Sequence, residues 1–431
     1  MVARPWQKRR TDIELNKDFL SSLPSEIIED ILVKLPIKEA VRTSVLSSNW
    51  KSLWTSMPDL VFNDDRDTTE SDLIRRVDKV LQVHQGPILK FEVQVGSDKH
   101  VGEEAISRWL LALSKNELKD LCLNFDIYQN CKVPSSLFSY QKLENLEIQG
   151  CTISAPQCFR GLKLLRNLIL CDCVLVGITF EKFVSSCPLL ESLTLIAVVK
   201  QGCLVIRAPN LKELVVLDGF TDLLLEAPKL ISASISVDYM LYGLRYFIPA
   251  YDGCKSKLLR AIGALPNIEE LDIDSLCCEY LASGAVPEKL PITFGHLKKI
   301  SIGLDERRKM VDIALCIFQS TPNLKTLKLT ACCLTFPSQN IWEDQRIRTI
   351  SVLQQLEVVV ISGSVMFDKD GASMLAFAKF ILSTAPQLEK LVVDRWSFND
   401  LLDSAGFMKK LLSLPWLSSK VVILVDERSN Y

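Results

Sequence analysis

The chain has 431 residues, more than one compact core accommodates, so several domains or an elongated repeat are expected. Fifty basic residues against 52 acidic ones leave a net charge of -2, which sets nucleic acid aside as the default partner. Hydrophobic residues make up 48% of the chain, yet no apolar run approaches the ~20 residues of a membrane span, and no signal-like core follows the charged N-terminus.

These features lead us to expect a soluble intracellular protein of the nucleus or cytoplasm, partnered neither by membrane nor by nucleic acid. Residues 1–17 read as a flexible tail in which Lys8-Arg9-Arg10 is a solvated charge run. Within 18–62 the pattern predicts three short helices. In the first, Ile27, Ile28, Ile31, Leu32 and Leu35 have the spacing of one helical face, and Pro24 suits its opening turn. Pro36 forces a break. Val41, Val45 and Leu46 mark the second helix, and Trp50, Leu53 and Trp54 the third. So small a unit is marginal alone, and part of its apolar surface is expected to be covered by another chain or by the rest of this one.

Leu23-Pro24, an acidic-aliphatic helix, the run Leu35-Pro36-Ile37-Lys38-Glu39-Ala40-Val41-Arg42-Thr43-Ser44-Val45-Leu46-Ser47, and an aromatic third helix follow one another here. In that order they resemble the F-box heading plant F-box proteins with leucine-rich repeats and a C-terminal FBD region. Asn49 stands where the family usually has a basic residue before the tryptophan. The resemblance implies docking onto a Skp-type linker protein. Leu23, Pro24, Ile28, Ile31, Leu32, Leu35, Pro36, Val45, Leu46, Trp50 and Trp54 form the linker-facing and module-packing set, two roles that the sequence does not separate.

Residues 63–72, acidic and polar, read as a linking loop, and whether the helical module packs against the first repeat or swings on this loop stays open. Residues 73–83 predict an amphipathic helix, 88–95 the first strand of a stack, and 105–113 a helix around Trp109. Leu143-x-x-Leu146-x-Ile148-x-x-Cys151-x-Ile153, Leu165-x-x-Leu168-x-Leu170-x-x-Cys173-x-Leu175 and Leu324-x-x-Leu327-x-Leu329-x-x-Cys332-x-Leu334 fit the leucine-rich repeat template, in which a small Asn or Cys turns inward after a strand. Weaker copies start at Leu118, Leu190, Leu211, Leu230, Ile268, Leu297, Leu356 and Leu388. Pro188, Pro209, Pro228, Pro266, Pro322 and Pro386 each lie two residues before a repeat's first apolar position. A recurring proline at one offset argues for a solenoid, because it stops the element before it and feeds an extended segment.

The fold class expected is therefore α/β: a three-helix F-box, then a leucine-rich repeat solenoid over 73–350 with parallel strands and outer helices, then an FBD-like continuation over 351–431. In that last part, 356–361 and 377–391 resemble the strand, helix and strand of the FBD motif. Trp416 and Leu417 follow Pro415 where the family often has arginine and alanine.

A catalytic apparatus is not found. His84, His100 and His296 are far apart and lack partners at metal-ligand spacing. The fourteen cysteines form no Cys-x-x-Cys pairs, which excludes a RING-type zinc site, and are expected to be reduced structural thiols. Asp272 and Asp274, two apart on a predicted strand, read as solvated. No cofactor is expected. Two surfaces could bind a target: the strand face, and the insertion at 239–251, where Tyr239, Tyr242, Arg245, Tyr246, Phe247 and Tyr251 cluster. The resemblance implies a non-catalytic adaptor that joins a Skp-type linker, and through it cullin, to a target for ubiquitin transfer. A scaffolding role outside a ligase is one alternative. Another is a small-molecule-gated receptor, for which Lys298, Lys299, Arg307, Arg308 and Lys309 would be anion-binding candidates.

Overall fold

The computed structural model describes residues 23–45, 50, 53–63, 69–96, 100–126, 131–156, 159–198, 203–220, 222–237, 262, 265–275, 277–278, 290, 293–304, 308–331, 342, 353–362, 372–394 and 404–426. It opens with two helices, α1 (Ser25–Leu32) and α2 (Ile37–Arg42), followed by a helical turn at Trp54–Ser56. The Pro24 carbonyl accepts from the Ile27 N–H at 3.1 Å and the Ile28 N–H at 3.2 Å, so Pro24 sits just before the helix and not inside its first turn. Pro36 breaks the chain as expected and caps α2, its carbonyl accepting from Glu39 and Ala40.

From Asp59 the chain becomes a stack. Its strands are β1 (Asp59–Asn63), β2 (Lys90–Gln94), β3 (Asp120–Asn124), β4 (Cys131–Val133), β5 (Asn145–Gln149), β6 (Cys151–Ser154), β7 (Asn167–Cys171), β8 (Val174–Val176), β9 (Ser192–Ile196) and β10 (Cys203–Arg207). They continue as β11 (Glu213–Leu217), β12 (Asp222–Glu226), β13 (Ser232–Ser236), β14 (Glu270–Ile273), β15 (Lys299–Leu304), β16 (Thr326–Ala331), β17 (Val358–Ser362), β18 (Lys390–Asp394) and β19 (Val422–Asp426). The helices between them are α3 (Glu70–Val83), α4 (Glu103–Leu113), α5 (Phe180–Ser185), α6 (Arg308–Gln319), α7 (Ala372–Thr384) and α8 (Ser404–Leu412). Among the described residues, fourteen strands form one sheet in the order β1-β2-β3-β5-β7-β9-β11-β13-β14-β15-β16-β17-β18-β19, while β4-β6-β8 and β10-β12 form two smaller sheets.

Pairing in the main sheet is parallel and proceeds one repeat at a time, with Leu121 beside Leu146, Leu146 beside Leu168, and Leu168 beside Leu193. A parallel neighbour demands a crossover connection, which the helices and loops of each repeat provide. The second and fourth residues of these strands are buried, as in Leu121 and Leu123 or Leu193 and Leu195, and the alternate residues face outward. Every template start read from the sequence, from Leu118 to Leu388, lies two residues before one of these strands.

The recurring prolines open turns. In Leu190, Leu211, Leu230, Leu324 and Leu388 the N–H returns to the carbonyl three residues back, 3.1–3.3 Å away, and the proline is the second residue of each turn, where its fixed φ suits the bend. The same turn closes without proline at Leu143, Leu165 and Leu356.

Three boundaries differ from those expected. The stack begins one strand earlier than 88–95, at β1, which starts inside the 18–62 stretch and ends just past it. Helix α3 begins at Glu70, inside the presumed linker, because Thr69 and Asp72 form a reciprocal capping box at its start. A last strand, β19, follows the final repeat copy recognised in the sequence. The FBD-like region continues the same sheet through β17, β18 and β19, with Trp342 packed on Phe377 and Phe380 beneath it at ring-centroid distances of 4.8 and 5.6 Å.

Candidate functional site

The first candidate surface is the N-terminal helical module. Five apolar residues on α1 and just after it, expected on one face, divide between two. Ile28 and Leu32 point inward and pack with Ile37, Ala40 and Trp50 in the core that continues into Met57 and Leu60. Leu23, Leu35 and Trp54 are half-buried against that core, while Pro24 and Pro36 are exposed. Ile27 and Ile31, each four residues from the other along the helix, lie on the outer side at 45% and 36% exposure. Val33, Val41 and Val45 join them at 46%, 36% and 87%. The structure thus separates packing residues from free apolar ones. Ile27, Val33 and Val41 are exposed but stood outside the linker-facing and module-packing set expected from the sequence; the i, i+4 spacings of 27 to 31 and of 41 to 45 were a usable signal for the exposure of Ile27 and Val41. Leu46 lies outside the described residues.

This module does not hang on a loose loop. Gln85 and Gly86 donate their N–H groups to the Thr55 carbonyl at 2.8 and 3.2 Å, and Leu89 and Lys90 donate to the Pro58 carbonyl at 2.8 and 3.1 Å. His84 Nε2 lies 2.8 Å from the Met57 carbonyl oxygen. A Cβ on Gly86 would stand 2.7 Å from the Ser56 Cα, so only glycine permits this approach. Phe62 on β1, Phe91 on β2 and Trp109 on α4 then pack in series, with ring centroids 5.8 and 6.3 Å apart. The joint is continuous with the sheet because β1 is itself a strand of the stack.

The second candidate is the outward row of the main sheet. Over β2, β3, β5, β7 and β9 it forms a shallow trough of about 450 Å³, lined among others by Lys90, Glu92, Asp120, Cys122, Glu147 and Ile169. The residue just before many of these strands carries charge, and in-register stacking sets opposite signs together: Lys119 with Glu144 at 3.3 Å, Lys212 with Glu191 at 2.6 Å, Arg166 with Glu191, Lys298 with Glu269 at 2.8 Å, and Lys325 with Glu357 at 2.7 Å. Exposed pairs of this kind contribute little each. They do align neighbouring repeats. The insertion residues Tyr239, Tyr242, Arg245, Tyr246, Phe247 and Tyr251 lie outside the described residues.

With this geometry in view, the chain can be compared with known proteins. A family model for the F-box domain matches residues 20–62, and one described as "FBD-associated F-box protein At5g56370, LRR repeats" matches 106–329. The F-box/FBD/LRR-repeat protein At1g13570 of Arabidopsis thaliana is 36% identical over 421 residues, covering 94% of this chain and 98% of the relative. The chain belongs to the F-box/FBD/LRR-repeat family. F-box/LRR-repeat protein 13 of the same plant is 25% identical over 94% of this chain and 96% of its own length. Members of this family are generally adaptors of SCF ligases and typically non-catalytic, and an F-box generally has a Skp-type partner.

The chemistry of the F-box/LRR chain agrees with a structural use of cysteine. Cys131, Cys151 and Cys173 stack on successive repeats, and Cys173 Sγ donates to the Ile148 carbonyl at 3.2 Å. Cys131 Sγ donates to Val101, and Cys277 Sγ to Ile235, in the same manner, although the template did not mark either. Burial pushes the Cys173 thiol up to about 12 and that of Cys131 to about 11, and raises Cys151 and Cys277. Such thiols stay protonated and make poor nucleophiles. Cys332 lies outside the described residues.

Among the described residues no cluster of side chains suits a metal ion, and no helix is long and apolar enough to cross a membrane. Of the candidate anion ligands, Lys298 and Lys299 are engaged by Glu269 and Glu270, and Arg307 lies outside the described residues. Asp274, expected to be solvated, instead caps the segment after β14, accepting from Ser236 Oγ at 2.6 Å and the Cys277 N–H at 2.7 Å.

Proposed function

We propose that this protein is the substrate-recognition adaptor of an SCF-type cullin-RING ubiquitin ligase, with its F-box docked on a Skp-type linker and its repeat domain holding a target protein. The carrying observation is the divided first helix. Ile28 and Leu32 are consumed by the internal core, while Ile27 and Ile31 stay exposed close in sequence to Val33, Val41 and Val45. Several aliphatic side chains left in water within one short segment are the ordinary mark of a surface meant for a second protein. Leu23, Pro24, Leu35, Pro36 and Trp54 edge that module, and Leu46 belongs to the docking set by resemblance.

The hydrogen-bonded joint at β1 supports the same reading. A linker bound to the F-box then fixes the direction of the whole stack, so a captured target is presented at a defined position. Transfer follows from proximity, since a tethered acceptor lysine meets the conjugating enzyme at high effective concentration. In this reading the reacting groups belong to the conjugating enzyme, and the buried thiols Cys131 and Cys173 stay protonated.

The test is co-purification of the full chain from plant extract, probing for the Skp-type linker and cullin, beside an Ile31→Asp variant. Recovery of both with the unmutated chain alone supports the adaptor. Linker without cullin points to a scaffold outside a ligase. Equal recovery by the variant would remove α1 from the docking surface.

A further inference from the structure

We propose that the trough across β2, β3, β5, β7 and β9 receives an extended, positively charged polypeptide segment, with a cationic side chain seated among Glu92, Asp120 and Glu147. This rests on the adaptor reading above and names the chemistry of the target. The in-register pairing places Glu92 beside Cys122 and Cys122 beside Glu147, while Asp120 precedes Cys122 by two residues on the same face. The small Cys122 side chain is thus a floor with carboxylates on three sides. Adjacent parallel strands lie ~4.8 Å apart, so Glu92 and Glu147 stand about 10 Å from each other, room for one ammonium or guanidinium group between them.

The charges in the trough do not cancel. Lys90 is its one cation among the lining residues, and it is paired with Glu92 at 2.9 Å. Asp120 accepts from the Asn145 amide and acts on Lys90, its in-register neighbour, through space, but among the described residues neither Asp120 nor Glu147 forms an ion pair at contact distance. Burial and the Glu147 carboxylate together push the Cys122 thiol up to about 12, so it adds no negative charge of its own and remains a neutral donor. Ile169, next to Glu147 on the following strand, offers apolar surface on which the stem of a lysine or arginine can lie.

The sign extends beyond the trough. Asp59 on β1, Glu213 on β11, and Glu270 and Asp272 on β14 occupy outward strand positions, whereas the outward lysines Lys299, Lys328 and Lys390 fall on β15, β16 and β18. Among the described residues the outward charges of the main-sheet strands from β1 to β14 are thus mainly acidic, with Lys90 the exception, and an open trough there concentrates the field. A nucleic acid or phosphorylated segment would be repelled there. The backbone of these strands is already paired, so recognition is by side chains. Four strand spacings of ~4.8 Å accommodate about six extended residues.

The experiment uses fluorescein-labelled octapeptides alternating serine with arginine, with the uncharged isostere citrulline, or with glutamate, titrated against the purified full chain by fluorescence anisotropy. The arginine peptide is expected to bind about tenfold tighter than the citrulline peptide and to weaken as salt rises. Asp120→Asn with Glu147→Gln should remove that difference. Glu103→Gln with Glu104→Gln, on the exposed start of α4, should leave it unchanged. Equal binding of the arginine and citrulline peptides, preference for the glutamate peptide, or equal loss in both double variants would overturn the proposal. Recovery of the Skp-type linker is measured on the same preparations: a lost linker with intact arginine discrimination overturns the adaptor reading and supports the trough, and a retained linker without discrimination does the reverse.

Discussion

Asn210 Nδ2 donates to the backbone carbonyl of Pro188, the equivalent turn one repeat earlier, at 2.9 Å. Asn267 repeats the contact with Pro228 at 2.9 Å, and Asn323 with Gly295 at 2.7 Å. Each turn therefore ties the mouth of its strand to the preceding one, beside the strand ladder itself. Asn210→Ala is expected to lower stability by about 0.5–1 kcal/mol in urea titration, and Asn210→Ala combined with Asn323→Ala to be additive, since the two sites share no partner. A null effect from the double variant would reduce these bonds to surface ornament.

The divided face of α1 separates binding from folding. Leu32→Ala should destabilise by about 2–5 kcal/mol, because it opens a cavity in a closed core. Ile27→Ala and Ile31→Ala should stay within about 0.5 kcal/mol of the parent while weakening recovery of a Skp-type linker. Thermal melts and co-purification on the same samples check both halves.

Gly86 holds the F-box against the stack. Gly86→Ala pushes a methyl group into the Ser56 backbone and is expected to cost about 1–3 kcal/mol. Limited proteolysis should show new cleavage near residue 86 in the variant. An unchanged digestion pattern would argue against a fixed joint.

The capping box of α3 predicts an acid effect. Thr69 donates its hydroxyl to Asp72 at 2.6 Å and its N–H at 3.3 Å, which holds the Asp72 carboxyl below its ordinary value of 3.8, with Arg75 and Arg76 adding to the effect. A depressed acid stabilises the fold above its unfolded value, and that contribution is lost as pH falls through the folded one. Thr69→Ala should therefore destabilise at neutral pH, and the gap to the parent should shrink below pH 3.8. Denaturant titrations at the two pH values measure it.

The thiols predict an alkaline effect of opposite sign. Cys131 and Cys173 are raised by burial from 9.0 to about 11 and about 12. Their contribution is complete below pH 9.0 and is lost as pH climbs toward those folded values, since the unfolded chain ionises first. Urea midpoints should fall across that window. In iodoacetamide labelling, exposed Cys203 should react in the native protein, and Cys131, Cys151 and Cys173 only after unfolding. Native labelling of Cys173 at the rate of Cys203 would contradict the inward ladder.

The sequence by itself determined the repeat. Leu143, Leu165, Leu324 and their weaker counterparts marked strands because a period-two apolar pattern after a turn can bury its face only by stacking on a like neighbour, a local rule legible along the chain. It also determined the order of the F-box motifs and the inward cysteines at 151 and 173. Only the tertiary structure decided which apolar residues of α1 are free, because Ile27 and Ile28 differ by one helical position and the choice depends on where Trp50 and β1 stand. It alone brought Lys119 to Glu144, Asn210 to Pro188, and Glu147 to Cys122, residues some 20 to 30 positions apart that meet because parallel register repeats one full turn of the stack later.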